Sequence, residues 1–278
     1  VGAFINELDK QLAAGGKTDA ARTLPDWSSW AARCQHWKKT YPSMLPEYAL
    51  QKKFVNPYYF VQLLGDTLPA DAIIALDQGA AFYCPTQAMR LKRGQRLFTN
   101  GGISPMGYGL PAAIGACVGA GKKEVICIHG DGGLQLSIQE LQTIVHYKLP
   151  IKLFVFNNEG YLSIKHTQER YFGGHFVGSD PKSGVSCPDL LKIADAYGIP
   201  AERISTSDEL RKRLPAILAK KGAYIVDIMT DPMQPFVPKV QSEKMADGKM
   251  GTKPLHDMYP YLEPAVLEKE MKLDVEDE

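Results

Sequence analysis

The chain has 278 residues, enough to bury a large core, and its 45% hydrophobic and 23% charged residues are ordinary for a globular protein. A formal net charge of +1 argues against nucleic acid or an anionic membrane as the main partner. No apolar run is long enough to span a bilayer, no secretory signal pattern opens the sequence, and five scattered cysteines favour a reducing, cytoplasmic location.

The first 55 residues differ in pattern from the rest of the chain. The stretch "FINELDKQLAAG" has the apolar spacing of a helix that ends at Gly15 and Gly16. The next stretch holds all three tryptophans and several prolines, which is typical of a linker that crosses a surface. We therefore interpret residues 1–55 as the end of a preceding domain and a linker.

From Asn56 onward, apolar runs alternate with helical patterns. An Asn-Pro pair starts a helix at residue 56, and the runs "AIIALD", "EVICIHG", "IKLFVFN" and "AYIVDIMT" have the composition of buried parallel strands. This alternation predicts an α/β fold, a doubly wound and mostly parallel sheet with helices on both faces. The predicted domain covers residues 56–240, and residues 241–278 form a C-terminal tail.

Two of the predicted helices open with a capping box, in which a side chain at the first position bonds the backbone three residues later. Ser137 with Glu140 and Thr206 with Glu209 have this spacing. Pro215 lies inside the second of these helices, where it predicts a kink.

Asp131 stands between glycines directly after the apolar run "EVICI", where a predicted strand ends. Ligands of an open α/β sheet collect at the carboxyl ends of its strands, and glycines let backbone N–H groups approach an anion. Gly130, Gly132 and Gly133 therefore indicate an anion site. Because a carboxylate repels a phosphate, the aspartate also indicates a divalent cation between the two.

The next apolar run ends on a second group of candidate ligands. Asn158 offers an amide oxygen and Gly160 a backbone carbonyl, so Asp131, Asn158 and Gly160 are the predicted metal ligands. Alone, G-D-G is more often an ordinary turn, but the strand before it, the helix after it and the paired asparagines favour a site. The glycines of "GYGLPAAIGA" follow no strand, so a nucleotide-dependent oxidoreductase with NAD or flavin is the weaker alternative.

The turn "GDGG" with the later "FNNEGY" resembles the thiamine-diphosphate signature, which starts with G-D-G and ends in N-N. The stretches "IIALDQGA" and "GGISPMGYGLPAAIGA" extend the resemblance to the acetolactate synthase and pyruvate oxidase family, C-terminal diphosphate-binding domain. The resemblance covers about residues 56–240. It implies a thiamine-diphosphate-dependent lyase or transferase that acts on a 2-oxo acid by decarboxylation or carboligation.

The resemblance also implies roles for individual residues. Asp131, Asn158 and the Gly160 carbonyl would bind Mg²⁺, while Met106 would lie beneath the cofactor and force its two rings into a bent shape. That shape brings the pyrimidine amino nitrogen against the thiazolium C2 proton. Met106 without the motif would be simple core filling. With Gly130, the predicted cofactor-binding residues are Gly79, Ser104, Met106, Asp131, Gly132, Gly133, Asn158 and Gly160.

Two departures from the family pattern limit what the resemblance implies. Ala80 and Ala81 stand where many acetolactate synthases have glutamine and histidine, so diphosphate contacts there must come from the backbone or from elsewhere. The helix "LSIKHTQERYFGG" matches neither the synthase nor the decarboxylase pattern. Its neighbourhood nevertheless holds the catalytic candidates near the substrate, which are Tyr161, Ser163, His166 and Gln168. The alternative interpretation of His166 is an ordinary surface residue. His129 is interpreted as a structural histidine.

The family activates its cofactor with a glutamate from an N-terminal pyrimidine-binding domain, usually supplied by a second subunit. No stretch of this chain resembles that domain. We therefore expect the C-terminal part of a longer, homo-oligomeric enzyme that turns over nothing alone. The alternative from another class is a non-catalytic cofactor-binding or assembly module, which as a pure scaffold would show no metal-dependent cofactor binding.

Overall fold

The computed structural model describes residues 2–15, 26–244 and 248–272, and it forms two compact units that divide between Pro42 and Ser43. The first unit contains helix α1 (Gly2–Gly15), which confirms the predicted helix, and helix α2 (Ser28–Thr40). Helix α2 lies in the segment interpreted as a linker, so that interpretation missed a helix. Gly16 lies outside the described residues. The predicted division at residues 55 and 240 stays a prediction.

The second unit is built on a six-stranded parallel sheet with the order β2-β1-β3-β4-β6-β5. Its strands are β1 (Ile73–Leu76), β2 (Arg96–Phe98), β3 (Val125–Gly130), β4 (Ile151–Asn157), β5 (Ala201–Ile204) and β6 (Tyr224–Met229). A separate antiparallel pair consists of β7 (Ser242–Lys244) and β8 (Met250–Thr252). The parallel sheet confirms the predicted fold class.

Helices of the second unit connect the strands or follow the sheet. They are α3 (Pro57–Thr67), α4 (Ala80–Ala88), α5 (Gly109–Gly119), α6 (Asp131–Leu134), α7 (Leu141–Tyr147), α8 (Leu162–Tyr171), α9 (Leu190–Ala196), α10 (Ser207–Leu218) and α11 (Pro264–Met271). Short 3-10 turns cover Pro46–Leu50, Ile138–Glu140 and Pro181–Ser183. In the part of the chain that the structure describes, no helix is long and apolar enough to cross a membrane.

Apolar layers cover both faces of the sheet. Phe154 and Phe156 of β4 belong to the layer formed with α3, α4 and α10. Leu153 and Val155, which alternate with them, belong to the layer formed with α5, α7 and α9. Because successive strand residues point to opposite faces, a strand covered on both sides needs apolar residues at every position. This explains why the strands read as continuous apolar runs.

The helix starts agree only partly with the predicted caps. The Asn56 side chain accepts the Tyr58 N–H at 2.9 Å, as the Asn-Pro start predicts. The predicted capping box at Ser137 was wrong. Ser137 is buried after the turns that follow α6, and its hydroxyl has no partner among the described atoms. Thr206 does accept the Glu209 N–H at 3.2 Å, and α10 runs through Pro215 to Leu218.

Candidate active site

A cleft of about 260 Å³ lies at the carboxyl ends of β1, β3 and β4. These three strands are neighbours in the sheet, so the turns that follow them meet at one place. The cleft is lined by Asp77, Gln78, Gly79, Ala80, Phe82, Tyr83, Ser104, Met106, Gly130, Asp131, Gly132, Gly133, Asn158, Gly160, Tyr161, Leu162, Ser163 and Ile164. The structure thus brings together all of the predicted cofactor-binding residues.

Asp131 joins the ends of two adjacent strands. It is the first residue of α6, which begins directly after β3, and its side chain is buried. Its carboxylate accepts the N–H of Gly132 at 2.8 Å and, across from β3 to the turn after β4, the N–H of Gly160 at 3.1 Å. Burial raises the pKa of Asp131 to about 6, although these backbone hydrogen bonds oppose the shift.

Asn158 supplies the second oxygen of this group. Its side chain is buried, and among the described residues its Oδ1 has no hydrogen-bond partner. A buried acceptor without a partner costs about 1–3 kcal/mol, so it indicates a missing donor or cation. The Gly160 carbonyl oxygen faces the same turn, 3.4 Å from the position that a Cβ on Gly132 would take.

The oxygen atoms fit a magnesium ion that is shared with a phosphate. They comprise one carboxylate, one amide oxygen and one backbone carbonyl, which are ligands that Mg²⁺ accepts. No cluster of three or more His, Cys, Asp or Glu residues that could hold a metal occurs in ranges 2–15, 26–244 and 248–272. A cation here would therefore need further oxygen atoms from its ligand or from water, as expected for a diphosphate complex.

Close packing accounts for two of the glycines in the turn. A Cβ on Gly132 would lie 2.6 Å from Tyr161 Cε1, and a Cβ on Gly133 would overlap the carboxylate of Asp77. These positions exclude larger residues because neighbouring side chains occupy the space, in addition to the predicted approach of a ligand to the backbone. The first turn of α6 is thereby held against the ends of both strands.

Sequence reasoning missed Asp77, which is buried at the end of β1 and lines the cleft. Its Oδ1 accepts the Gly109 N–H at 3.0 Å, at the start of α5, and its Oδ2 lies 3.3 Å from His129 Nδ1. Burial lowers the pKa of His129, and the charge of Asp77 opposes that shift. The sequence did contain a signal for Asp77, because this residue shares the pattern of Asp131. Both are acidic residues directly after a buried strand and close to a glycine.

Other predicted residues are divided between the cleft and its surroundings. Tyr161 and Ser163 line the cleft. Met106 is 45% exposed. The alternative interpretation, in which Met106 only fills the core, was therefore wrong. His166 lies outside the cleft lining, in a neighbouring pocket. Gln168 bonds the 177–179 loop instead, since its Nε2 donates to Val177 O at 2.9 Å and its Oε1 accepts the Ser179 hydroxyl at 2.8 Å.

Comparison with known proteins identifies the class to which this fold and cleft belong. Residues 77–228 match the family model of the thiamine pyrophosphate enzyme C-terminal TPP-binding domain, so the chain belongs to that family. The match includes Asp77, Asp131 and Asn158. It leaves an NAD or flavin oxidoreductase without support.

Among the relatives, the acetolactate synthase large subunit of Cyanidium caldarium is 30% identical over 223 residues, 80% of this chain and 37% of that protein. Acetolactate synthase 2, chloroplastic, of Nicotiana tabacum is 29% identical over 221 residues, 78% of this chain and 33% of that protein. The chain therefore spans about a third of the length of these relatives.

A solved structure confirms the fold. It is the thiamine diphosphate-dependent 4-hydroxybenzoylformate decarboxylase of Rhodococcus jostii RHA1, which has a TM-score of 0.58 and 22% identity. The similarity covers 66% of this chain and 34% of that one.

Proposed function

We propose that this chain binds thiamine diphosphate through Mg²⁺ in the cleft and forms the C-terminal part of an acetolactate-synthase-like enzyme acting on a 2-oxo acid. The observation that carries the proposal is the buried Oδ1 of Asn158, which has no hydrogen-bond partner in the described part of the chain and lies beside the Asp131 turn at adjacent strand ends. Family membership supports the cofactor, and the oxygen ligands support the metal.

Different residues of the cleft are proposed to hold the metal ion and the diphosphate of the cofactor. Asp131, Asn158 and the Gly160 carbonyl would hold Mg²⁺ together with the diphosphate. The backbone of Gly132 and Gly133 presents N–H groups at the start of α6, which favours an anion, and Gly79 and Gly130 line the same place. When bound, thiamine diphosphate supplies a nucleophilic carbon and an electron sink for decarboxylation or carboligation.

Ser104 and Met106 also line the cleft. Ser104 has a left-handed backbone with φ of 54°, which is uncommon outside glycine, and its carbonyl is proposed to accept the pyrimidine amino group. Met106 would support the cofactor in its bent shape. Tyr161 is proposed to face the substrate from the start of α8. His166 and Gln168 remain catalytic candidates from the sequence, although the Gln168 side chain donates a hydrogen bond to the 177–179 loop.

The complete enzyme needs groups beyond this chain. We propose that an N-terminal pyrimidine-binding domain, in the same protein or in a second subunit, supplies the activating glutamate, and that the enzyme is a homo-oligomer. We also propose a cytoplasmic location for this chain, whereas the Nicotiana tabacum relatives are chloroplastic enzymes.

Isothermal titration of thiamine diphosphate into the full chain, with and without MgCl₂, tests the proposal. We expect binding that requires Mg²⁺, because the diphosphate and the Asp131 carboxylate repel each other without a cation between them. Binding that is absent, or equal with and without Mg²⁺, would contradict the proposed metal site.

A further inference from the structure

A second pocket, of about 540 Å³, adjoins the cofactor cleft. Tyr83 and Ser163 line both cavities, so the two cavities lie on either side of these residues. The remaining walls come mainly from α8 and from the segment 236–242 that follows the sheet, with Gln87 of α4 and Met258. The neighbouring pocket therefore lies directly beside the cofactor cleft.

The wall formed by residues 236–242 is fixed by hydrogen bonds to other elements. The Tyr58 hydroxyl accepts the Val237 N–H at 3.0 Å, and Gln87 Nε2 donates to Pro238 O at 2.7 Å. Lys239 and Tyr259 exchange two backbone hydrogen bonds of 2.9 Å each. These bonds hold the backbone of Lys239 in place, so the pocket has an ordered wall.

The pocket has a positive interior. Lys239 and Arg170 both line it. Arg170 donates to Ser242 O and lies 3.8 Å from Glu243, so part of its charge is offset. Within the described ranges, the ammonium of Lys239 has neither a hydrogen bond nor an ion pair. Burial and the charge of Arg170 both lower the pKa of Lys239, which Glu169 opposes.

The other lining residues are largely apolar or neutral. Phe236 is buried, while Tyr83 and Met258 expose part of their side chains to the cavity region. His166 packs edge to face on Phe236 with ring centroids 5.3 Å apart. Burial lowers the pKa of His166, and the charge of Lys239 lowers it further, which favours the neutral imidazole. Glu169 and Glu243 do not line the pocket.

We propose that this pocket binds a distal anionic group of the substrate, namely the second carboxylate of a dicarboxylic 2-oxo acid, with Lys239 as its main contact. The inference rests on the proposed function, because it takes the reacting carbonyl to lie in the cofactor cleft. Lys239 and Arg170 line the pocket and not the cleft, so the anion that they attract lies away from the reacting carbon. Tyr83 and Phe236 contact the carbon chain between the two carboxylates.

The test compares two acids of equal length on the full chain. 2-Oxoglutarate has a second carboxylate and 2-oxopentanoate has a methyl group at the same place, and their affinities are measured by isothermal titration. We expect 2-oxoglutarate to bind at least about tenfold more tightly, since a charge-assisted contact is lost with 2-oxopentanoate. Titration both with and without thiamine diphosphate and Mg²⁺ separates this test from the cofactor proposal, because a distal contact favours the dicarboxylate in either state.

Variants identify the contact. Lys239→Met should remove the preference for 2-oxoglutarate and leave Mg²⁺-dependent cofactor binding unchanged. Lys239→Arg should keep the preference. Lys212→Met, which removes a lysine on the exposed face of α10, is the matched control for net charge. Equal affinities for the two acids in the unaltered chain, no binding of either, or an unchanged preference in Lys239→Met would overturn the proposal.

A phosphate could provide the same distal charge. D-Glyceraldehyde 3-phosphate therefore serves as a third probe. Weaker binding than that of 2-oxoglutarate supports the carboxylate. Tighter, Lys239-dependent binding would overturn the dicarboxylate assignment in favour of a phosphorylated substrate.

Discussion

The amino ends and the carboxyl ends of the parallel strands, which we call the amino edge and the carboxyl edge of the sheet, differ in how their buried polar groups are paired. At the amino edge, the fully buried Lys152 near the start of β4 donates to Lys220 O and, at 2.7 Å, to Gly222 O, and it lies 3.2 Å from Glu124 Oε2. At the carboxyl edge, the equally buried Lys165 donates its ammonium group to Asn158 O at 3.0 Å, which is the one hydrogen bond of that ammonium among the described residues.

The oxygen atoms show the same difference. The carbonyl groups around Lys152 are paired within the chain. In contrast, Asn158 Oδ1 is buried with no hydrogen-bond partner among residues 2–15, 26–244 and 248–272, and burial raises the pKa of Asp131. Both edges are made of the same strands, so packing alone does not explain the contrast. The cation at the amino edge is paired within the chain, and we propose that a bound cation pairs the oxygen atoms at the carboxyl edge. Five predictions test this comparison.

The largest effect is expected from Asp131→Asn at the carboxyl edge. The variant keeps the size of the side chain but removes the only carboxylate of the proposed metal site, so Mg²⁺-dependent binding of thiamine diphosphate should fall more than about 100-fold. Titration calorimetry measures the loss. Asp71→Asn, which removes an exposed carboxylate at the other edge, is the control and should bind like the parent chain.

Lys152→Met and Lys165→Met compare the two edges directly. Lys152→Met leaves two carbonyls and Glu124 without their cation, and should lower the free energy of unfolding by about 2–4 kcal/mol. Lys165→Met removes a single hydrogen bond together with a buried charge, so the loss should be below about 1 kcal/mol. Urea unfolding of the metal-free chain measures both. Equal losses would show that the two edges do not differ in this way.

The pH dependence of stability tests the buried carboxylate without a ligand. Because burial raises the pKa of Asp131 from 3.8 to about 6, the protonated form is favoured in the fold. Its contribution is complete below pH 3.8 and is lost as the pH rises through about 6. The unfolding free energy of the parent chain minus that of Asp131→Asn should therefore fall by at most about 3 kcal/mol over this window. A constant difference across these pH values would contradict the raised pKa.

The adjacent asparagines provide a matched pair within the carboxyl edge. Asn157 Nδ2 donates to Asp227 Oδ1 at 3.0 Å, whereas Asn158 Oδ1 has no described partner. Asn157→Ala should lower the free energy of unfolding by about 1–2 kcal/mol and retain Mg²⁺-dependent cofactor binding. Asn158→Ala should leave the metal-free stability unchanged or higher and weaken that binding at least about tenfold. The reverse assignment of these two effects would place the metal ligand at Asn157.

The sequence predicted the part of this picture that depends on strand periodicity and turn chemistry. Continuous apolar runs located β1, β3, β4 and β6, and residues after two of those runs identified Asp131 and Asn158. It did not locate β2 or β5, which are short and partly exposed, so they lack a continuous apolar pattern. It also missed the contact of Asp77 with His129, because a buried pair on neighbouring strands leaves no spacing signal along the chain.

The smallest effect is expected at Met106, which lines the same cleft as the proposed metal ligands. Its side chain is 45% exposed in the cofactor-free chain, so Met106→Ala should change the free energy of unfolding by less than about 0.5 kcal/mol. Cofactor affinity should nevertheless fall several-fold, because burying the methionine against thiamine diphosphate is worth about 1 kcal/mol. Ile103→Ala, at an exposed apolar residue outside the cleft lining, is the matched control and should change neither quantity. A loss of stability in Met106→Ala without a loss of affinity would instead make Met106 part of the folded core, and would remove it from the cofactor site.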